Sequence, residues 1–124
     1  MEPAKYELVI HRGGTYESGK ISRTVDGVTL NFAQYNSMTL RVKPPWKHTA
    51  VVETDDDLLL TITDVTGHIV MAVDELSISI TIPVDEIDAY TFEKGRYFLD
   101  LHTAAGVTHK LIYGAFTVLG EDDI

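Results

Sequence analysis

Apolar and polar residues alternate with a period of two along most of this chain, and no helical stripe of comparable length appears. The cleanest run is Leu76-Ser77-Ile78-Ser79-Ile80-Thr81-Ile82. In a strand, successive side chains point to opposite faces, so Leu76, Ile78, Ile80 and Ile82 share one face and the hydroxyl residues the other. Met38 to Lys43 repeats the pattern, with Met38, Leu40 and Val42 inward and Thr39, Arg41 and Lys43 in water. Pro44-Pro45 ends it, because proline has no N–H to give to a ladder. From Phe92 to Val118, two alternating runs flank the turn at Ala105-Gly106, and a third follows Gly114. This predicts a terminal antiparallel hairpin, with a bulge or bend at Gly114.

The remaining runs fit the same class. Tyr6 to Ile10 reads as a first strand, broken by Gly13-Gly14. Ile21 to Val25 and Val28 to Phe32 flank Asp26-Gly27, a dipeptide suited to a tight hairpin turn because Gly accepts positive φ. Val28, Leu30 and Phe32 then share one face. Thr49 to Glu53 reads as an edge strand, Leu58 to Ile62 as a buried run and His68 to Val73 as another strand. Pro83 to Tyr90 is different. Its acids lie in the first turn and Val84, Ile87 and Tyr90 are apolar, which predicts a short helix near residues 84–91.

Roughly eight to ten short strands, with turn signals about every 8 to 12 residues, predict two stacked sheets. No helix is large enough to cover a single open sheet. The expected fold is all-β: an antiparallel immunoglobulin-like β-sandwich, one domain over residues 1–124 with polar ends at 1–4 and 119–124. The expected core is Leu8, Ile10, Leu30, Leu40, Val42, Leu60, Ile62, Ile78, Ile80, Ile82, Tyr97, Leu99, Leu101, Leu111, Tyr113 and Val118.

Composition narrows function mainly by exclusion. There are no cysteines, so disulfides, thiolate metal sites and Cys nucleophiles are ruled out. The formal net charge of -9 and the scatter of the basic residues argue against nucleic acid as a partner. No apolar run approaches the roughly 20 residues of a membrane span. Met1 to Lys5 lacks the basic-then-apolar pattern of an export signal, so folding in a cytoplasm is expected.

The order of these segments resembles a known family. Tyr6 to Tyr16 gives a strand and a Gly turn, and Met38 to Lys43 the alternating strand with Arg41. Ile78 to Pro83 leads through a short acidic turn to Gly95-Arg96-Tyr97-Phe98-Leu99-Asp100-Leu101, and Leu111 to Val118 carries Gly114. This is similar to the small immunoglobulin-like modules of tailed-bacteriophage virions, including the N-terminal domain of baseplate upper proteins. Leu99 stands where that pattern usually has an aromatic residue, and Asn36-Ser37 where a glycine is usual. The resemblance implies a structural protein of the virion, assembled in the host cytoplasm. It would dock onto tail, baseplate or neck proteins, in some cases as a symmetric homo-oligomer, with no nucleic-acid or membrane partner. It implies no catalytic residues.

No residue pattern specifies chemistry. A Gly-x-Ser-x-Gly elbow is absent, Ser77 and Ser79 sit mid-strand, and Gly13-Gly14 lacks the Gly-Lys-Thr context of a phosphate loop. Asp55-Asp56-Asp57 lacks the spacing of a calcium loop and reads as an acidic turn. His102 and His109 could meet across the last hairpin, but two imidazoles do not make a zinc site, and His11 and His68 read as outward strand positions. The expectation is therefore no enzyme, no catalytic residue, no metal and no cofactor. Contact is expected through Arg41, Lys43, Pro45, Trp46, Lys47 and His48, through Asp55, Asp56 and Asp57, and through the Glu121 to Asp123 segment. Trp46, beside two prolines and between Lys43 and Lys47, suits an interface anchor, a sugar-stacking platform or a cap over the core. The alternative to virion docking is a carbohydrate-binding or host-adhesion module, with Tyr16, Tyr35, Trp46 and Tyr90 converging on one face.

Overall fold

Alternation becomes burial strand by strand in the structure, a computed structural model that describes residues 3–44 and 59–120. Strand β6 (Ser37–Lys43) buries Met38, Leu40 and Val42 and turns the intervening residues outward. Strand β9 (Ile78–Ile82) buries every second residue in the same way. Strands β10 (Lys94–His102) and β11 (Thr108–Leu119) form the long terminal hairpin. The other strands are β1 (Ala4–Lys5), β2 (Leu8–His11), β3 (Tyr16–Glu17), β4 (Thr24–Val25), β5 (Val28–Thr29), β7 (Leu60–Thr63) and β8 (Ile69–Met71). Helix α1 (Val84–Asp88) starts after Pro83 and carries Asp85 and Glu86 in its first turn, where its amide ends favour carboxylates.

The larger sheet has the order β1-β11-β10-β6-β7, with β2 continuing the line of β1 along β11. The smaller has the order β3-β9-β8, extended by a bridge between Ile21 and Ile78. Their inner faces share one core, with Leu40, Tyr97, Leu99 and Phe116 from the first meeting Ile69, Ile78, Ile80 and Ile82 from the second. This is an immunoglobulin-like β-sandwich. Pairing is antiparallel with one departure: β1 and β2 run parallel to β11. A parallel partner needs a long crossover, and here nearly the whole chain supplies it.

Several expectations need correcting. The first strand is not continuous from Tyr6 to Ile10, because β1 and β2 are separated at Tyr6-Glu7, where the backbone passes over Gly114. Ala4 and Leu119 belong to strands and not to polar ends. The Asp26-Gly27 turn forms with positive φ at both residues, 52° and 79°, as a two-residue hairpin of this twist requires. Its arms are only two residues each and pair only with each other, so Val28 is 70% exposed instead of inward. Phe32 is buried, but from a 3-10 turn (Phe32–Gln34). Leu76 lies outside β9 and is exposed.

The largest correction concerns β11. Its register with β10 shifts between Leu99 and Asp100, so Leu99 faces Ile112 while Asp100 faces Lys110. Leu111 is the extra residue of this bulge, and Leu111 and Ile112 are both buried. The side-chain phase slips by one, and Tyr113, expected in the core, is on the outer face. Gly114 lies beyond the bulge. Leu30 and Leu60 are half-buried, while Ile21, Ile69, Ile87, Ile112 and Phe116 join the core unannounced. The expected strand Thr49–Glu53 lies outside the described residues.

One buried hydroxyl ties the N-terminal strand to this frame. Tyr97, fully buried on β10, donates its hydroxyl to the Tyr6 carbonyl in the gap between β1 and β2. Removing that hydroxyl in Tyr97→Phe leaves the carbonyl without it and is expected to cost about 1 kcal/mol by urea unfolding. The same burial raises the phenol pKa of Tyr97, with smaller contributions from Tyr16 and Tyr6. Burial likewise lifts Tyr16 and Tyr90 from 10.0 to about 12. Phenols whose pKa is higher folded than unfolded hold protons that the unfolded chain has released, so their contribution is complete below pH 10 and is lost as pH rises toward 12. A pH series of melts should show stability level up to about pH 9 and falling above pH 10, with a shallower fall in Tyr97→Phe.

Candidate functional site

The outer face of the larger sheet is where side chains with chemistry collect. Strand register builds it in rows. Lys5, Tyr113, Phe98, Arg41 and Thr61 lie side by side across β1, β11, β10, β6 and β7. The next row holds Ala115, Arg96 and Lys43, and the row on the other side Lys110, Asp100, Thr39 and Thr63. With Lys94, six of the chain's ten Lys and Arg residues stand on this face. Of its nineteen acids, the described strand positions of the face carry only Asp100, with Glu7 at the rim.

Asp100 is 0% exposed although it points away from the core. Arg41 covers it, with Nη2 at 2.6 Å from Asp100 Oδ2. The second oxygen, Oδ1, has no hydrogen-bond partner among the described residues. Lys110 sits 4.1 Å over the Phe98 ring, a cation–π contact, and Phe98 stacks on Tyr113 with ring centroids 6.5 Å apart. Beside the rings the surface dips into a groove of about 360 Å³. Gly114 and Ala115 line it, the small Ala115 side chain leaving space on the outer face, and Phe98, Tyr113, Arg96 and Lys5 stand around it.

A second polar cluster ties the turn before β8 to α1. His68 contacts Thr66 Oγ1 through Nδ1 and Glu86 Oε2 through Nε2, both at 2.5 Å. A hydroxyl, an imidazole and a carboxylate in line resemble a nucleophile relay. The Thr66 hydroxyl, however, donates to the Thr63 carbonyl at 2.8 Å, so its proton is held by its own turn. The cluster is a clamp. Arg12 makes another at the same helix, reaching Ile87 O at 3.1 Å and Phe92 O at 3.4 Å, while Gly13 N–H donates to Asp88 at 2.9 Å. His68 is therefore a packed cross-link and not the outward strand residue expected.

Of the expected contact residues, Arg41 and Lys43 are on the outer face. Pro45, Trp46, Lys47, His48, Asp55, Asp56 and Asp57 lie outside the described residues, as does Glu121 to Asp123. His102 and His109 do not meet: His102 contacts Thr108, and His109 contacts the Tyr35 hydroxyl at 3.0 Å. Tyr16, Tyr35 and Tyr90 are each partly buried against the core, Tyr90 stacked on Phe92 and Tyr35 edge-on to His109, and Trp46 lies outside the described residues. The sequence reading missed Phe98, Asp100, Lys110 and Tyr113. The outward alternation Arg96-Phe98-Asp100 signalled the first two, and an inward Leu111 implied an outward Lys110, whereas the bulge concealed Tyr113.

No family model matches this chain, and no curated protein matches it significantly. Among solved structures it is similar to Drosophila OTK, extracellular domains 3-5, with 14% identity and a TM-score of 0.34. That likeness covers 94% of this chain and 33% of the other, so the chain spans about a third of the structure it matches.

Proposed function

We propose that this protein works by contact: a virion structural protein, in the setting its resemblance to tailed-phage modules implies, that docks through the outer face of its larger sheet. The observation that carries the reading is the sorting of charge. A chain with net charge -9 gathers six cations and two aromatic rings on one sheet face. Such a face attracts an acidic protein surface, and complementary potentials steer encounter and fix register. Phe98 and Tyr113 supply the apolar anchor that interface centres favour. Nucleic acid is the poorer occupant, because the rest of the acidic body repels a polyanion.

The test is co-expression of the chain with the products of the genes beside its own, read by native mass spectrometry. A complex that survives Lys20→Glu and is lost in Lys5→Glu/Lys110→Glu is the expected result. A complex indifferent to the double reversal, or DNA binding that the reversal abolishes, overturns the proposal. The same double variant should lose about tenfold or more in affinity at low salt, with the difference shrinking as salt rises.

A further inference from the structure

The geometry points to a second binding site, beside the docking face and sharing Lys5 with it, between β1 and the segment 20–23: a cavity for an apolar group that carries a carboxylate. The cavity measures about 260 Å³. Its floor is Ile21, Leu111 and Ile112, and Lys5, Lys20 and Arg23 line it as well. None of the described residues that line it is acidic. In a chain with nineteen acids and ten Lys and Arg, three cations around an aliphatic floor, with no carboxylate among the described lining residues, is a selective arrangement.

The fold explains why the space exists and stays open. The β11 bulge turns Leu111 and Ile112 inward together, so two aliphatic side chains, both buried, back the cavity where a regular strand would give one. On the far side, Ile21 is fastened to the smaller sheet by two backbone hydrogen bonds with Ile78, at 2.7 and 2.9 Å. Arg23 spans the gap, its Nη1 donating to the Leu111 carbonyl at 3.0 Å. Both walls are thus fixed to different sheets. On its side away from β11, β1 has no strand partner among the described residues. Ligand sites typically pair an apolar lining with a few placed polar groups. Here the polar groups are cations, so the occupant's head is an anion, and a carboxylate gains charge-assisted hydrogen bonds from Lys or Arg. A small aliphatic acid and the C-terminal residue of a partner peptide share this chemistry.

The experiment is a methyl and amide NMR titration of the full chain with hexanoate, with hexanol, and with acetyl-Ala-Leu as free acid and as amide. Saturable shifts are expected at Ile21, Leu111 and Ile112, with hexanoate binding about tenfold tighter than hexanol. That advantage should vanish in Lys5→Gln/Lys20→Gln, while hexanol binding stays as it was. Tighter binding of the peptide acid than of hexanoate identifies a partner's C-terminus as the source, and the reverse identifies a small acid. Equal binding of each acid and its uncharged counterpart, shifts confined to the outer sheet face, or no saturable shift at the three floor residues would overturn the inference. The wild-type comparison of hexanoate with hexanol decides the matter even if the double variant does not fold.

Discussion

Replacing Arg41 by alanine is expected to destabilise the domain by about 3 kcal/mol, a large share of the roughly 5–15 kcal/mol that holds such a domain together. The reason lies in what the substitution leaves behind. Asp100 is 0% exposed, and its Oδ2 accepts from Arg41 Nη2 at 2.6 Å. Without the guanidinium, a buried carboxylate loses its charge partner, and its other oxygen has no hydrogen bond from the described residues. The Arg41 side chain is itself 34% exposed, which places the effect at the low end of the range for buried pairs. Urea unfolding of Arg41→Ala measures the loss, and a change below about 1 kcal/mol would show that water reaches Asp100. Arg41→Met combined with Asp100→Leu removes both charges and keeps the bulk. It should recover to within about 1 kcal/mol of the parent, because the pair as a whole contributes little beyond its own desolvation. The double variant also removes part of the docking face, so it separates stability from binding in one protein.

Local pattern carried much of the fold. The runs in β6 and β9, the turn at Asp26-Gly27 and the helix after Pro83 are each fixed by neighbours in sequence, and each forms close to where alternation or turn chemistry places it. What stayed hidden depends on pairing between distant segments. The bulge at Leu111 is a property of how β11 meets β10, and one extra residue was enough to turn Tyr113 outward. The half-buried state of Leu60 and the burial of Ile87 depend on what packs over them, which no local period reports. The candidate site was less legible still. Arg41 and Lys43 belong to a recognisable strand, but the row Lys5, Tyr113, Phe98, Arg41 and Thr61 exists only once five strands are in register. Asp100 could not be told from any other outward acid until Arg41 was seen to cover it.

The second large effect is expected at Gly114. A Cβ there would lie 2.5 Å from the Tyr6 carbonyl oxygen and 3.0 Å from its carbon, and both are backbone atoms that cannot rotate aside. Gly114→Ala should therefore cost about 3 kcal/mol, at the upper end for overpacking, because relief requires moving a strand and not a side chain. The strand that must move is the N-terminal one. Tyr6 N–H donates to Tyr113 O at 2.8 Å, Tyr97 donates to Tyr6 O, and β2 then continues along Phe116 to Leu119 with Leu8 and Ile10 fully buried. Pushing Tyr6 away strains these contacts together, so the damage should be uneven. Hydrogen exchange is expected to speed most at Leu8 to His11 and least in the β6–β10 pairing on the other side of the sheet. A uniform loss of protection would mean that the N-terminal strand and the hairpin unfold as one unit. The position also bears on the docking face, since Gly114 lines the groove beside Phe98 and Tyr113. The closing of β1 and β2 over β11 therefore rests on one glycine, whose absent side chain points at the Tyr6 backbone.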